Sequence, residues 1–142
     1  MQSAEMTLRG RTIVGGVASG KALVTTEAIS FLGGVDPSTG RIVERGHELY
    51  GKSVKDSILV FPSGKGSTVG SYVIYALRKH RTAPAGMINE ETETIIATGC
   101  VLAEIPLVDR LSGDLFELAA TGDHITLDAD RGAVILRKTC KC

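Results

Sequence analysis

The run Pro62-Ser63-Gly64-Lys65-Gly66-Ser67-Thr68 brings together two glycines, a lysine and three hydroxyls, and Ser71 adds a fourth hydroxyl within nine residues. These residue types suit chemistry on an anionic substrate. Gly64 and Gly66 let backbone approach a ligand closely, Lys65 supplies a mobile positive charge, and a hydroxyl can bind or, once activated, accept a proton. The run follows the short apolar segment Ser57 to Phe61 and precedes a helical pattern. The first amides of such a helix lack intrahelical partners and favour an anion. Ser67 and Thr68 fall where an N-cap hydroxyl belongs, a purely structural use worth about 1 kcal/mol. A nucleotide P-loop is excluded, because Gly66 follows Lys65 where serine or threonine is required and Leu59 stands where the first glycine is required.

Other residues capable of chemistry are scattered. His47 lies in a long segment without periodicity and is expected at the surface, where it is a candidate for substrate or subunit contact. His80 reads as a surface residue. Asp36 is a weaker contact candidate, since Asp36-Pro37-Ser38-Thr39-Gly40 is also ordinary turn chemistry. Three cysteines, Cys100, Cys140 and Cys142, are an odd number and do not suggest a disulfide framework. Cys140 and Cys142 form a lone C-x-C pair without the second pair that would close a zinc site, and Lys138 to Cys142 reads as a frayed tail. Cys100 reads as a small core residue. No metal site is expected in this chain.

The elements that must position the loop follow from periodicity. Leu8 to Val14 and Lys21 to Thr25 read as strands joined through Gly15, Gly16 and Gly20. Glu27 to Lys55 reads as a loop of nearly thirty residues, a length that points to function. Ser57 to Phe61 is a buried strand. Val69, Tyr72, Val73, Ala76 and Leu77 then mark one face of a helix that closes on Arg78, Lys79 and His80. Ala85 to Ile88 is a strand, and a helix from about Thr92 places Ile95, Ile96, Gly99, Cys100 and Ala103 on one side. Strand Ile105 to Val108, a short helix Asp114 to Ala120 ended by Gly122, and a hairpin of Ile125 to Asp128 with Val134 to Arg137 complete the chain. The alternation in the middle predicts βαβ units and a partly parallel sheet, and the terminal strands predict a second β layer. The fold class is α/β, a β/β/α sandwich in a single domain over residues 1–142, with its ordered core at about 8–137.

Sixteen basic residues balance sixteen acidic ones and aromatics are only 4%, which removes the basic, base-stacking surface of a nucleic-acid binder. No apolar run approaches the roughly 20 residues that span a bilayer, and Met1 to Arg11 lacks the apolar core of a signal peptide. A soluble, cytoplasmic protein is expected.

Several blocks in order carry a resemblance. Ser30-Phe31-Leu32-Gly33-Gly34-Val35-Asp36, Ile58-Leu59-Val60-Phe61-Pro62, Gly64-Lys65-Gly66-Ser67-Thr68-Val69-Gly70-Ser71-Tyr72, Ala83-Pro84 and Ala103-Glu104-Ile105-Pro106 resemble the small subunit of the aconitase X family, over about Arg9 to Leu136. The resemblance implies an aconitase-type swivelling domain that caps a large catalytic subunit. The large subunit would hold an iron–sulfur cluster, of the 4Fe-4S type, and none would be bound here. The implied reaction is dehydration of a hydroxy acid, with cluster iron receiving the leaving hydroxyl. The branch most similar is that of archaeal enzymes converting (R)-5-phosphomevalonate to trans-anhydromevalonate 5-phosphate in a modified mevalonate pathway. Bacterial cis-3-hydroxy-L-proline dehydratases form the neighbouring branch. The family's proton acceptor maps onto Ser67, with Gly64, Lys65, Gly66, Thr68 and Ser71 as expected substrate contacts. The cysteines of the tail depart from the family pattern and are not expected to be cluster ligands.

Two rivals are weaker. The C-terminal half also resembles phosphohistidine swivelling domains, but the stretch that would carry the histidine reads Glu93-Thr94-Ile95-Ile96-Ala97-Thr98, and no histidine lies between His80 and His124. A purely structural subunit is the other. A serine hydroxyl acting near neutrality needs a shift of more than about three units, roughly 4 kcal/mol, and a helix N-terminus supplies at most about 2 kcal/mol. Ser67 is therefore expected to work only when the large subunit closes over it.

Overall fold

A computed structural model describes residues 5–139. Eight strands form one sheet in the order β1-β10-β9-β3-β6-β7-β8-β2, where β1 is Glu5–Arg9, β2 Arg11–Val14, β3 Val17–Val24, β6 Ile58–Phe61, β7 Gly86–Asn89, β8 Leu107–Asp109, β9 His124–Asp128 and β10 Ala133–Arg137. Strands β3, β6, β7 and β8 run parallel, and the remaining pairings are antiparallel. A separate two-stranded ribbon pairs β4 (Val35–Asp36) with β5 (Arg41–Ile42).

The expected single strand from Leu8 to Val14 is two strands at opposite edges of the sheet, separated only by Gly10. The sheet therefore curls until its edges meet. Gly10 makes the step possible: its amide donates to the Gly132 carbonyl at 2.7 Å, and a Cβ would lie 2.4 Å from the Asp109 carbonyl oxygen. Curling creates the second β layer and splits the core in two. Ala22, Ile58, Val60, Ile88, Val108, Ile125, Leu127 and Val134 fill the space between β layers. Leu59, Phe61, Met87 and Leu107 face the helices. Alternation along Ile58–Phe61 thus buries both faces, which is why the run is continuously apolar.

Two ten-residue helices, α2 (Gly70–Lys79) and α3 (Thr94–Ala103), cover the sheet. The buried stripe of α2 is Gly70, Ser71, Ile74 and Leu77; of the expected face Val69, Tyr72, Val73, Ala76 and Leu77 only Leu77 is fully buried, Val73 and Ala76 are half-buried, and Tyr72 is 65% exposed. Close approach to α3 decides the rotation. A Cβ on Gly99 would fall 2.6 Å from Ile74 Cδ1, and one on Gly70 would fall 3.2 Å from Ile95 Cγ2. Small residues set this contact, so bulk does not mark the buried face. On α3 the expected side is buried at Ile96, Gly99, Cys100 and Ala103. Helix α4 is shorter than expected, Leu115–Leu118.

Residues 27–55 are not the weakly structured loop the sequence suggests. They contain the single turn α1 (Phe31–Gly34), the β4–β5 ribbon, and buried Ile29, Phe31, Val35, Ile42, Leu49 and Val54 packed on the helix-side core. Thr25 Oγ and the Thr26 amide donate to Glu48, tying this excursion to the end of β3. At the other end, Lys138 Nζ and the Thr139 amide reach Asp123 at 2.6 and 3.0 Å, carrying ordered contacts past residue 137. Cys140 and Cys142 lie outside the described residues. No helix among the described residues is long and apolar enough to cross a membrane.

Asp109, fully buried, joins β8, β2 and the chain after β7. It accepts from Arg11 Nε and Nη2 at 2.9 and 2.8 Å and from the Thr92 amide at 2.8 Å. Burial acts to raise its pKa, but the Arg11 and Thr92 hydrogen bonds outweigh burial and hold it below the ordinary carboxylate value. A folded value below the unfolded one, about 3.9, means that the ionised group stabilises fully above about pH 4 and that this contribution is lost as pH falls further. Thermal unfolding should show Tm dropping below about pH 4, with a shallower acid limb in Asp109→Asn. An unchanged limb would place the effect on other carboxylates, such as Asp123, which is shifted the same way.

Candidate active site

The segment from Pro62 to Val69 leaves the carboxyl end of β6 and is fixed by its neighbours. The Glu90 and Glu91 amides donate to the Pro62 carbonyl at 3.0 and 3.3 Å, and buried Asn89 donates from Nδ2 to the Phe61 carbonyl at 3.0 Å. Ile29 brackets Gly64, donating to the Ser63 carbonyl at 3.1 Å and accepting from the Lys65 amide at 3.0 Å. Gly64 sits against α3: a Cβ there would lie 2.7 Å from both Glu93 Oε1 and Ile96 Cδ1. Glu93 itself caps α3, accepting from the Ile95 and Ile96 amides at 3.0 and 2.9 Å. At Gly66 φ is +88°, a left-handed conformation, and a Cβ would lie 2.6 Å from Ser30 Oγ.

Beyond Gly66 the chain is exposed through Val69. The expected N-cap role of Ser67 and Thr68 is replaced by a turn. Helix α2 begins at Gly70 with Val69 as its cap, and no side chain caps it. Ser67 Oγ accepts from the Val69 amide at 3.1 Å, the Ser67 carbonyl accepts from the Gly70 amide at 2.9 Å, and the Ser71 hydroxyl and amide turn back to the Thr68 carbonyl at 3.0 and 3.3 Å. The first helix amides are thus occupied, contrary to expectation. The amides of Gly66, Ser67 and Thr68 bond to no other group among the described residues. These unoccupied amides lie about one turn earlier than the helix pattern suggested.

Lys65, Gly66, Ser67 and Thr68 form an exposed stretch, with Gly64 half-buried and Ser71 buried at its base, and a depression opens on either side. One is lined by Ser30, Leu32, Gly33, Gly34, Glu44, Lys65 and Gly66, the other by Thr68, Ser71, Tyr72, Thr94, Ile95 and Thr98. Lys65 Nζ pairs with Glu44 Oε2 at 3.3 Å, a partner sequence reasoning missed. Glu44 lies 21 residues away in the segment without periodicity, and no local pattern marks it.

Asp36 and His47 do not join this surface. Asp36 Oδ1 accepts from the Ser38 amide and hydroxyl at 3.0 and 2.8 Å, which hold its carboxyl below the usual value. The following residue, Pro37, bonds to Thr82 beyond the carboxyl end of α2. Ten residues of helix, about 15 Å, separate that end from Ser67. His47 is 4% exposed, not a surface residue. Its Nδ1 accepts from the Leu49 amide at 3.1 Å and Nε2 faces the Ala28 carbonyl at 3.2 Å, so both ring nitrogens are engaged inside the chain. It fixes the excursion from within.

The donor set does not fit an iron–sulfur cluster. Among the described residues no three His, Cys, Asp or Glu side chains gather as metal ligands. Cys100 is buried beside Met87, and burial pushes its thiol up, away from the thiolate that ligation requires.

Comparison with known proteins identifies the family. Residues 7–136 match the family described as the aconitase X swivel domain. A protein of Methanocella arvoryzae named phosphomevalonate dehydratase small subunit is 54% identical over 92% of this chain and 99% of its own length. The protein of that name from Thermococcus kodakarensis is 51% identical over 91% and 95%. A crystal structure of Thermococcus kodakaraensis aconitase X in its holo form superposes with a TM-score of 0.88 at 49% identity, covering 92% of this chain and 98% of that one. The eight-stranded β/β/α architecture, the glycine-rich loop and these matches agree: the chain belongs to the aconitase X swivel-domain family.

Proposed function

We propose that this chain is the small subunit of a two-chain hydro-lyase that converts (R)-5-phosphomevalonate to trans-anhydromevalonate 5-phosphate, and that Ser67 is its proton acceptor. The observation that carries the reading is an exposed serine on a braced glycine-rich loop, beside a lysine and three amides that have no partner among the described residues. The relatives' shared name supports the substrate. In the reaction a proton leaves the carbon next to the carboxylate, hydroxide leaves the neighbouring carbon, and a double bond forms between them. Ser67 Oγ accepts that proton. The amides of Gly66, Ser67 and Thr68 stabilise the negative charge that builds on the substrate, as oriented donors do in a site closed to water.

This chain alone does not activate Ser67. Its oxygen accepts one hydrogen bond, and the Lys65 ammonium faces Glu44 at 3.3 Å in a weak, half-exposed pair. Roughly 4 kcal/mol of stabilisation is required, and the helix end offers at most about 2 kcal/mol. The remainder is assigned to the large subunit, which excludes water and, in this reading, holds the iron–sulfur cluster. Co-expression with the large subunit followed by anaerobic assay tests the proposal. Phosphomevalonate should be dehydrated by the pair and not by this chain alone. Turnover of cis-3-hydroxy-L-proline and not phosphomevalonate would move the chain to the neighbouring branch.

A further inference from the structure

The Lys65–Glu44 pair sits where a substrate anion would be expected to sit. Glu44 and Lys65 are the charged residues lining the depression beside the loop, and the rest of the wall is Ser30, Leu32 and three glycines. Two of those glycines, Gly33 and Gly66, have φ of +84° and +88°, and nothing lies within 4 Å of a Cβ built on Gly33. The wall is therefore open backbone with one cation. Glu44 is delivered there firmly. The Val43 amide donates to the Gly34 carbonyl at 2.8 Å, the His47 amide donates to the Glu44 carbonyl at 3.3 Å, and buried His47 anchors the segment. The pair itself is loose. Its 3.3 Å separation exceeds the 2.7–2.9 Å of a strong charge-assisted bond, and side-chain exposures of 50% for Lys65 and 31% for Glu44 make it weak. A carboxylate carried on braced backbone but in a weak pair neutralises the lysine and holds it in place, and it yields to an anion that can also use the Gly66 amide, which has no partner among the described residues.

We infer that this depression is the subsite for the anionic group of the substrate, phosphate or carboxylate, and that Glu44 is a positioning residue that keeps Lys65 there until that anion displaces it. The inference rests on the proposed function for the identity of the substrate, but binding can be read without turnover. Calorimetry on the assembled two-chain enzyme, with inorganic phosphate and separately with acetate, measures the subsite directly. Glu44→Gln should tighten binding of the matching anion about threefold to fivefold, and KM for phosphomevalonate should fall with it. Lys65→Met should weaken both by about tenfold. In the Lys65→Met background Glu44→Gln should have no further effect, since the two act through one contact. Glu44→Asp, which keeps the charge but retracts it, should fall between Gln and the parent and gives the same reading if the Gln variant fails to assemble. The acetate and phosphate arms identify which group of the substrate uses the subsite. Unchanged or weaker anion binding in Glu44→Gln, or additive effects in the double variant, would overturn the inference. Ser67→Ala should lower kcat by at least about a hundredfold yet leave anion binding unaltered, so failure of this inference and failure of the base assignment are separable.

Discussion

Ser67→Ala in the assembled two-chain enzyme is expected to lower kcat by roughly 10²- to 10⁴-fold, the usual contribution of a positioned proton acceptor. KM should change far less, because the binding surface at Lys65 and the Gly66–Thr68 amides does not pass through the Ser67 hydroxyl. The fold should survive. Ser67 is exposed, and its Oγ accepts only the Val69 amide, a hydrogen bond worth about 1 kcal/mol that water can replace. A loss of that size lowers Tm by no more than about 4 °C for a chain of this length. Kinetics and melting therefore separate the two roles a serine at this position can have. A large Tm loss with kcat scaling to folded protein would make Ser67 a turn residue. Undiminished turnover with normal melting would make this chain a cap on chemistry performed wholly by its partner.

Much of the architecture was legible because burial leaves a periodic trace. Ile58–Phe61 is apolar at every position since each face meets a core, and α3 buries the residues its spacing marks. Where contact depends on small residues the trace vanishes. Gly70 and Gly99 let α2 and α3 approach closely, and α2 is rotated from the face its large side chains suggest. Gly10 does the same for topology, since one residue with no Cβ lets the chain pass from one edge of a curled sheet to the other.

The candidate site divides along similar lines. Gly64 to Ser71 is contiguous in sequence, so residue type alone marks it as a candidate, while the roles expected within it come from the family resemblance. Glu44 and the bracing residues Ile29 and Glu93 are distant in sequence, and only the fold brings them to the loop. His47, expected at the surface and found buried, departs from expectation for a complementary reason. Polar residues in a segment without periodicity read as exposed, yet residues 27–55 contain enough buried Ile, Phe, Val and Leu to pack, and His47 satisfies backbone groups that this packing removes from water.

Gly64→Val tests whether the brace under the loop matters as much as the loop's own groups. No left-handed φ is present at Gly64, so its backbone accepts a side chain and the obstacle is spatial. A Cβ would stand 2.7 Å from Glu93 Oε1 and from Ile96 Cδ1 and Cγ1. Ile96 is fully buried and Glu93 caps α3, so neither moves without disturbing that helix. Overpacking of this kind costs about 1–3 kcal/mol, or roughly 2–12 °C in Tm. The larger effect falls on chemistry. Ser67 lies three residues beyond Gly64, and misplacing a reacting group by about 1 Å costs on the order of 10²-fold, so kcat should fall about a hundredfold in protein that remains folded at the assay temperature. Gly46→Ala provides the contrast. Its φ of +87° strains a new side chain, but nothing lies within 4 Å of the added Cβ, so it should cost stability without a comparable fall in kcat. Adding Ile96→Val to Gly64→Val removes the Cδ1 that crowds the new side chain and should recover part of both losses. If it recovered Tm but not kcat, the activity loss would come from Glu93 and the α3 cap, and Ile96 would matter to the site only as packing.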